Sequence, residues 1–259
     1  MSKKPIGIFD SGVGGTSIWK AINTLLPNES TIYLADSKYA PYGPKGKDRI
    51  IELSIKNTEF LLNKNCKLIV VACNTATTNA IKILRETYKI PFIGIEPAIK
   101  PAALQSKNKA IGILATKGTL SSSLFSKTSN IFTNDISVIE QVGEGIVQLI
   151  ENGKLYSEEM RSLLKIYIKP MIDANIDYLV LGCTHYSYLI PLLLDLLPKH
   201  IKIIDSGEAV ARQTKAILEQ NNLLNKQLSN PKFQFYSNSN IKVMAELLGK
   251  TFNVDYLDF

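Results

Sequence analysis

The sequence predicts an α/β protein built from two pseudo-symmetric open parallel-sheet domains, with the active site in the cleft between them. Three observations lead there. Short β-branched runs recur along the 259 residues, amphipathic helical stretches lie between them, and the order of runs in the first half returns in the second.

The elements follow in chain order. "IGIF" (6–9) and "TIYLA" (31–35) read as the first strands. A helix is expected over 48–62, where Ile51, Ile55, Phe60 and Leu62 supply the apolar face. "LIVVA" (68–72) is the third strand, a helix over 78–88 carries Ile81, Leu84 and Tyr88, and "FIGI" (92–95) closes the first set. The second set contains "AIGILA" (110–115), "YLVLG" (178–182) and "IKIID" (201–205). The tail reads as a helix (208–220), a strand "FQFYS" and a last helix (240–248), and it is expected to return to the first domain and complete its sheet.

Laid over each other, the halves match at three points. "IGIFDSGVGG" begins 67 residues before Cys73 and "IGILATKGT" begins 72 residues before Cys183. "FIGIE" then places Glu96 23 residues after Cys73, and "IKIID" places Asp205 22 residues after Cys183. One match could be chance, but three in register indicate a duplicated unit of about 100 residues, an ordinary domain size. The expected division is residues 1–97 plus 207–259 for the first domain and 98–206 for the second. No glycine-rich or low-complexity linker separates them, so close packing is expected.

Composition narrows the functional classes. A hydrophobic fraction of 45% and a charged fraction of 20% describe an ordinary globular chain with ample core material. The three cysteines, Cys66, Cys73 and Cys183, form neither a CxxC pair nor a zinc-ligand spacing, which argues against a disulfide framework and a metal site. "MSKKPIGIFDSG" reaches Asp10 after too short an apolar stretch for a signal peptide, and "YLIPLLLDLLP" is broken by Pro191 and Asp195 before it could span a bilayer. A cytoplasmic protein with no membrane partner is expected, where thiols stay reduced. The net charge of +7 is scattered in ones and twos, as in "NKNCK" (63–67), without a basic block or interleaved aromatics. That pattern points away from nucleic acid, while the positive field suits an anionic small substrate.

In open parallel sheets, ligands bind beyond the carboxyl ends of the strands. Asp10, Cys73, Glu96, Thr116, Cys183 and Asp205 all fall there. Two facing domains would put one cysteine on each wall of a cleft. Inversion of a carbon centre by proton exchange needs a base on one face and an acid on the other, and a symmetric thiol pair serves both directions because its reference pKa of about 8.5 lies near working pH. A lone cysteine at a strand end is more often a small hydrophobe. Two in matched positions, each followed by hydroxyl or amide residues, reverse that preference, whereas Cys66 lacks such a setting and reads as structural. Ser11, Asn74, Thr75, Thr116, Thr119 and Thr184, with backbone N–H groups at helix N-termini, could hold carboxylates without a lysine or arginine clamp. Asp10 could equally cap the helix after "SGVGG", and Tyr42 could simply form a turn between Pro41 and Gly43.

"FDSGVGG" (9–15), "PYGPKG" (41–46), "ACNTAT" (72–77) and "LGCTHY" (181–186) resemble the motifs of glutamate racemases, in the aspartate/glutamate racemase family, and the resemblance runs from Ile6 to about Ala211. It implies a cofactor-independent isomerase that interconverts L- and D-glutamate and supplies D-glutamate for peptidoglycan, and it leaves a homodimer open. By the same resemblance, Cys73 and Cys183 are the acid/base thiols, Asp10 assists Cys73, and His185 assists Cys183. Asp10 with Ser11, Tyr42 with Gly43, Asn74 with Thr75, and Thr184 with His185 form the substrate-contacting pairs. Glu151, in "QLIENGK", falls where the family carries a supporting acid.

Other readings use the same residues. Aspartate racemases and related two-cysteine isomerases share the architecture, but the resemblance there shows His where this chain has Thr77 and Glu where it has His185. A nucleotide-binding protein fits poorly: the dinucleotide glycine spacing from Gly12 and Gly14 fails at Ser17, and "GPKGKD" lacks the Walker pattern. A non-catalytic amino-acid-binding protein would need the cleft but not the thiols.

Overall fold

"IGIFD" is buried at all five positions and forms strand β1 (Ile6–Asp10), as suits a strand covered on both faces. The computed structural model describes residues 3–133, 135–225 and 230–259. After β1 come α1 (Thr16–Leu25), β2 (Thr31–Ala35), α2 (Lys47–Asn63), β3 (Leu68–Val71), α3 (Asn74–Thr87) and β4 (Phe92–Gly94). The second set comprises α4 (Ile99–Gln105), β5 (Ala110–Ala115), α5 (Lys117–Leu120), α6 (Ser123–Phe132), β6 (Ser137–Val142), α7 (Ile146–Glu151), α8 (Glu158–Asp173), β7 (Tyr178–Gly182), α9 (Ile190–Leu196) and β8 (Lys202–Ile204). The tail adds α10 (Gly207–Gln220), β9 (Phe233–Ser237), α11 (Ile241–Leu247) and β10 (Val254–Tyr256).

The strands form two sheets, ordered β10-β9-β2-β1-β3-β4 and β6-β5-β7-β8, and every pairing is parallel. The repeat is therefore topological: β2-β1-β3-β4 of one sheet has the same order as β6-β5-β7-β8 of the other. In each half the central strand and its inner neighbour carry the chemistry. Asp10 ends β1 and Cys73 follows β3 by two residues, while Thr116 and Cys183 directly follow β5 and β7.

One hydrophobic cluster joins the halves, running from Ile8 and Val70 through Trp19 and Ile22 to Leu179 and Leu181. The two chain crossings between sheets lie side by side, where the Ser206 hydroxyl donates to the Glu96 carbonyl.

Three features differ from the expectations. β6, "SVIEQV", has no continuous apolar run because it is an edge strand, exposed or half-buried throughout. α3 begins at Asn74 rather than 78; its first turn is rich in threonine, a weak helix former, and is capped by the Cys73 thiol, which accepts from the Ala76 N–H. Glu96 and Asp205 do not face the cleft. They follow the edge strands β4 and β8, and Glu96 is exposed and accepts from Thr128.

Candidate active site

Cys73 and Cys183 line one narrow cavity between the two sheets. Ser11, Tyr42, Gly43, Asn74 and Thr75 share the first wall with Cys73. Thr116, Thr184 and His185 join Cys183 on the second. The free space is about 10 Å³, roughly one water molecule's worth, so the cleft is closed.

Around Cys73 the groups are packed and polar. Its thiol donates to Ser11 Oγ at 3.6 Å. Burial pushes the thiol pKa well up and the neighbouring Asp10 charge adds to that, against the Ala76 N–H and Ser11. Asp10 lies behind the wall rather than on it. Its carboxylate accepts from the backbone N–H groups of Ser11 at 2.7 Å and Gly15 at 2.6 Å, and from Thr184 Oγ1 at 3.1 Å. It thus ties the "SGVGG" turn without capping α1, whose N-cap is Gly15. Burial raises the Asp10 pKa, with the His185 charge the chief opposing influence.

Cys183 has a different escort. His185 Nδ1 lies 3.8 Å from its Sγ and 4.0 Å from Asp10 Oδ2. On the other side of the ring, Nε2 meets Glu151 Oε1 at 2.6 Å. With that nitrogen's proton directed at a carboxylate, the 3.3 Å approach of the Gly14 N–H to the same atom is a contact and not a hydrogen bond. Burial acts to lower the imidazole pKa, but Cys183 and Glu151 outweigh it and hold the ring well above its ordinary value. A cationic ring beside a thiol stabilises the thiolate.

Glu151, the last residue of α7, reaches the site from behind. It also accepts from the Val13 N–H at 2.7 Å and Ser37 Oγ at 2.8 Å, so it binds the second half to the first. A Cβ on Gly12 would fall 1.9 Å from Glu151 Oε1, so a side chain there would displace that carboxylate from its partners.

The remaining candidates divide by what their polar atoms already do. Thr75 and Thr116 meet across the cleft at 2.8 Å, and Thr119 supports both from outside the cavity. The Tyr42 hydroxyl donates to Asp36 at 2.5 Å and accepts from Asn57, so this residue offers the cavity its ring and backbone rather than its OH. Asn74 is the opposite case: it is buried, and neither amide atom has a hydrogen-bond partner among the described residues. An unsatisfied buried amide costs about 1–3 kcal/mol, which marks this side chain for a ligand. Thr77 is not on the cavity wall. Its hydroxyl donates to Val71 O and accepts from the Ile95 N–H, joining the ends of β3 and β4.

Several contributors were not read from sequence. Asp36 lies at the end of β2, buried, and holds Tyr42, Lys56 and Asn238. The strand-end rule that marked Asp10 applies equally to the acid in "LAD". Val147 of α7 lines the cavity and has no chemical signature. Among the described residues, no group of three or more His, Cys, Asp or Glu side chains could hold a metal ion.

Fold and site together define a pseudo-symmetric α/β protein with a thiol on each wall of the cleft between its two sheets. The chain belongs to the Asp/Glu/Hydantoin racemase family, whose model matches residues 6–214. Over 248 residues, 95% of this chain and 94% of the relative, it is 44% identical to a glutamate racemase of Ectopseudomonas mendocina. It is similar to the solved structure of Escherichia coli glutamate racemase in complex with L-glutamate, at a TM-score of 0.87 and 32% identity over 98% of each chain. The Francisella tularensis glutamate racemase in complex with D-glutamate gives a TM-score of 0.85 and 29% identity, over 100% of this chain and 98% of that one.

Proposed function

We propose that this chain is a cofactor-independent glutamate racemase that exchanges the Cα proton between two thiols. The observation that carries the reading is the placement of Cys73 and Cys183 on equivalent strand ends of two duplicated units, facing one cavity. The curated relatives favour glutamate over aspartate as substrate.

In one direction the thiolate of one cysteine removes the Cα proton, and the thiol of the other delivers its own proton to the opposite face. The carbon is inverted, the first sulfur ends protonated and the second deprotonated, and the reverse reaction starts from that state. His185, held by Glu151, stabilises the thiolate form of Cys183. Asp10, held by the glycine-rich turn, places negative charge beside Cys73 and favours its protonated, proton-donating form. The unpartnered Asn74 amide, the hydroxyls of Ser11, Thr75, Thr116 and Thr184, and the backbone around Gly43 bind the substrate's carboxylates and ammonium. Thr119 supports that set through Thr75 and Thr116.

The domains follow from the repeat: residues 1–97 with 207–259 carry Asp10 and Cys73, and residues 98–206 carry Cys183 and His185. No described helix is long and apolar enough to cross a membrane. The expected setting is the cytoplasm, where the product would supply peptidoglycan synthesis.

Racemisation of L- and D-glutamate, set against L- and D-aspartate, tests this directly. Cys73→Ser and Cys183→Ser should each lower turnover by at least about 100-fold with the fold intact. In heavy water, product formed from either enantiomer should carry deuterium at Cα. Near-normal turnover in either variant, or product free of deuterium, would overturn the two-thiol reading.

A further inference from the structure

The cavity that holds both thiols has no lysine or arginine in its lining, although the substrate proposed above carries two carboxylates. Positive charge gathers immediately outside it. A polar pocket of about 480 Å³ is lined by Lys45, Lys47 and Lys117, and no Asp or Glu belongs to its lining. Lys45 and Lys47 come from the loop and first turn leading into α2, and Lys117 from the first turn of α5, so the two halves contribute jointly.

Arg49 meets Glu52 at 2.6 Å, Lys56 meets Asp36 at 3.2 Å and Lys82 meets Glu86 at 3.8 Å, whereas none of the three pocket lysines forms an ion pair with a described residue. The acids close by are Asp48, which follows Lys47, Glu86 and Glu96, which line an adjoining pocket with Lys47, and Glu144, which lines another with Lys117.

The pocket and the cavity meet at one residue. Gly43 lines both, and Gly118 closes the seam from the other half. A Cβ on Gly118 would lie 2.8 Å from Thr75 Cγ2 and 2.9 Å from Gly43 O, so the seam is a backbone-to-backbone contact. Most of the pocket's other polar side chains are occupied: Ser121 and Ser122 donate to the carbonyls of Lys117 and Thr119, Thr78 to that of Asn74, and Asn79 to those of Thr75 and Gly118, while Ser123 also lines the pocket. What the pocket chiefly presents to a ligand is cationic charge. That suits capture and not tight retention.

We infer that this pocket is an antechamber that draws a small dicarboxylate to the seam between Gly43 and Gly118, from which it passes into the closed cavity. The inference rests on the racemase reading for the identity of its ligand. The focused charge of the three lysines raises the local concentration of the anion, and the interaction decays over a Debye length of about 10 Å at 0.1 M salt.

The experiment is steady-state racemisation of both enantiomers across a sodium chloride series, with the triple variant Lys45→Gln, Lys47→Gln, Lys117→Gln. At low ionic strength its kcat/KM should fall about tenfold while kcat stays within about twofold of wild type, and the gap should close at high salt. A matched control with the same loss of charge, Lys165→Gln, Lys199→Gln, Lys242→Gln, should keep the wild-type kcat/KM. The inference is overturned if the first variant keeps kcat/KM at low salt, if kcat falls in proportion, or if the control loses as much. A wild-type protein that racemises neither enantiomer would instead overturn the activity reading.

Discussion

Asp10 and His185 show how neighbouring buried groups receive opposite assignments. Each lies against a thiol, yet Asp10 adds negative charge beside Cys73 while His185 adds positive charge beside Cys183. For Cys73, burial is the larger cause of the raised pKa and the Asp10 charge the second. Asp10→Asn removes only the second, so the Cys73 pKa should fall. Followed as the pH dependence of iodoacetamide alkylation in a Cys66→Ser, Cys183→Ser background, the midpoint should move to lower pH. A midpoint that rises would show that Asp10 eases proton loss from Cys73 instead of opposing it. At this scale the sequence was informative where a residue announces its chemistry. The thiols, Asp10 and His185 stand at strand ends beside polar neighbours, and ten of the thirteen candidate residues line the cavity. Asp10, Thr119 and Glu151 stand behind it, because whether a polar side chain faces a ligand or another protein group depends on partners far away in sequence. Thr77 illustrates the same limit: its hydroxyl is taken by Val71 and Ile95.

Among the elements, the glycine-rich turn after β1 has a role distinct from a phosphate loop. It brings backbone against the second half so closely that side chains are excluded. A Cβ on Gly14 would lie 2.5 Å from the His185 backbone nitrogen, which cannot swing aside as a flexible side chain could. Gly14→Ala should therefore push the turn away from His185, lowering kcat and thermal stability together. Gly207→Ala makes a useful comparison, since its nearest neighbours lie at an ordinary 3.5 Å or more and its substitution should change neither. Circular dichroism melting and racemisation rates on the same preparations check both, and a Gly14→Ala protein with normal turnover would refute the close-contact argument. Burial made the central strands the plainest, although β8, no more buried than β6, was also read from its isoleucines. β1, β3 and β7 are buried along their whole length and stand out as apolar runs, whereas the edge strands β6 and β10 spend much of their surface in solvent and leave no such run.

Across the whole molecule, the tail makes the two halves unequal. β9 pairs with β2 over five residues and β10 pairs with β9, giving the first sheet six strands against four in the second. Those additions are held by aromatic packing around Trp19, whose indole N–H donates to Thr31 at 2.8 Å. Phe233, Phe235 and Phe252 meet its ring edge-on, with centroids at 5.7, 4.8 and 5.1 Å. Phe235 is buried and also packs on Tyr33, whose hydroxyl donates to the Gly12 carbonyl in the glycine-rich turn. The core of the first half is thus completed by residues more than 200 positions from β1, and removing one of them leaves a void that surrounding rings cannot fill. Phe235→Ala should cost about 3–5 kcal/mol, read as a lower urea midpoint with an unchanged m-value. If the tail were only an appendage on a finished first domain, the loss would stay near the few tenths of a kcal/mol expected of a surface change. A midpoint shifted by the full amount would make the tail part of the first half's cooperative unit, which places the stability of the Asp10 and Cys73 wall under the control of its last strands.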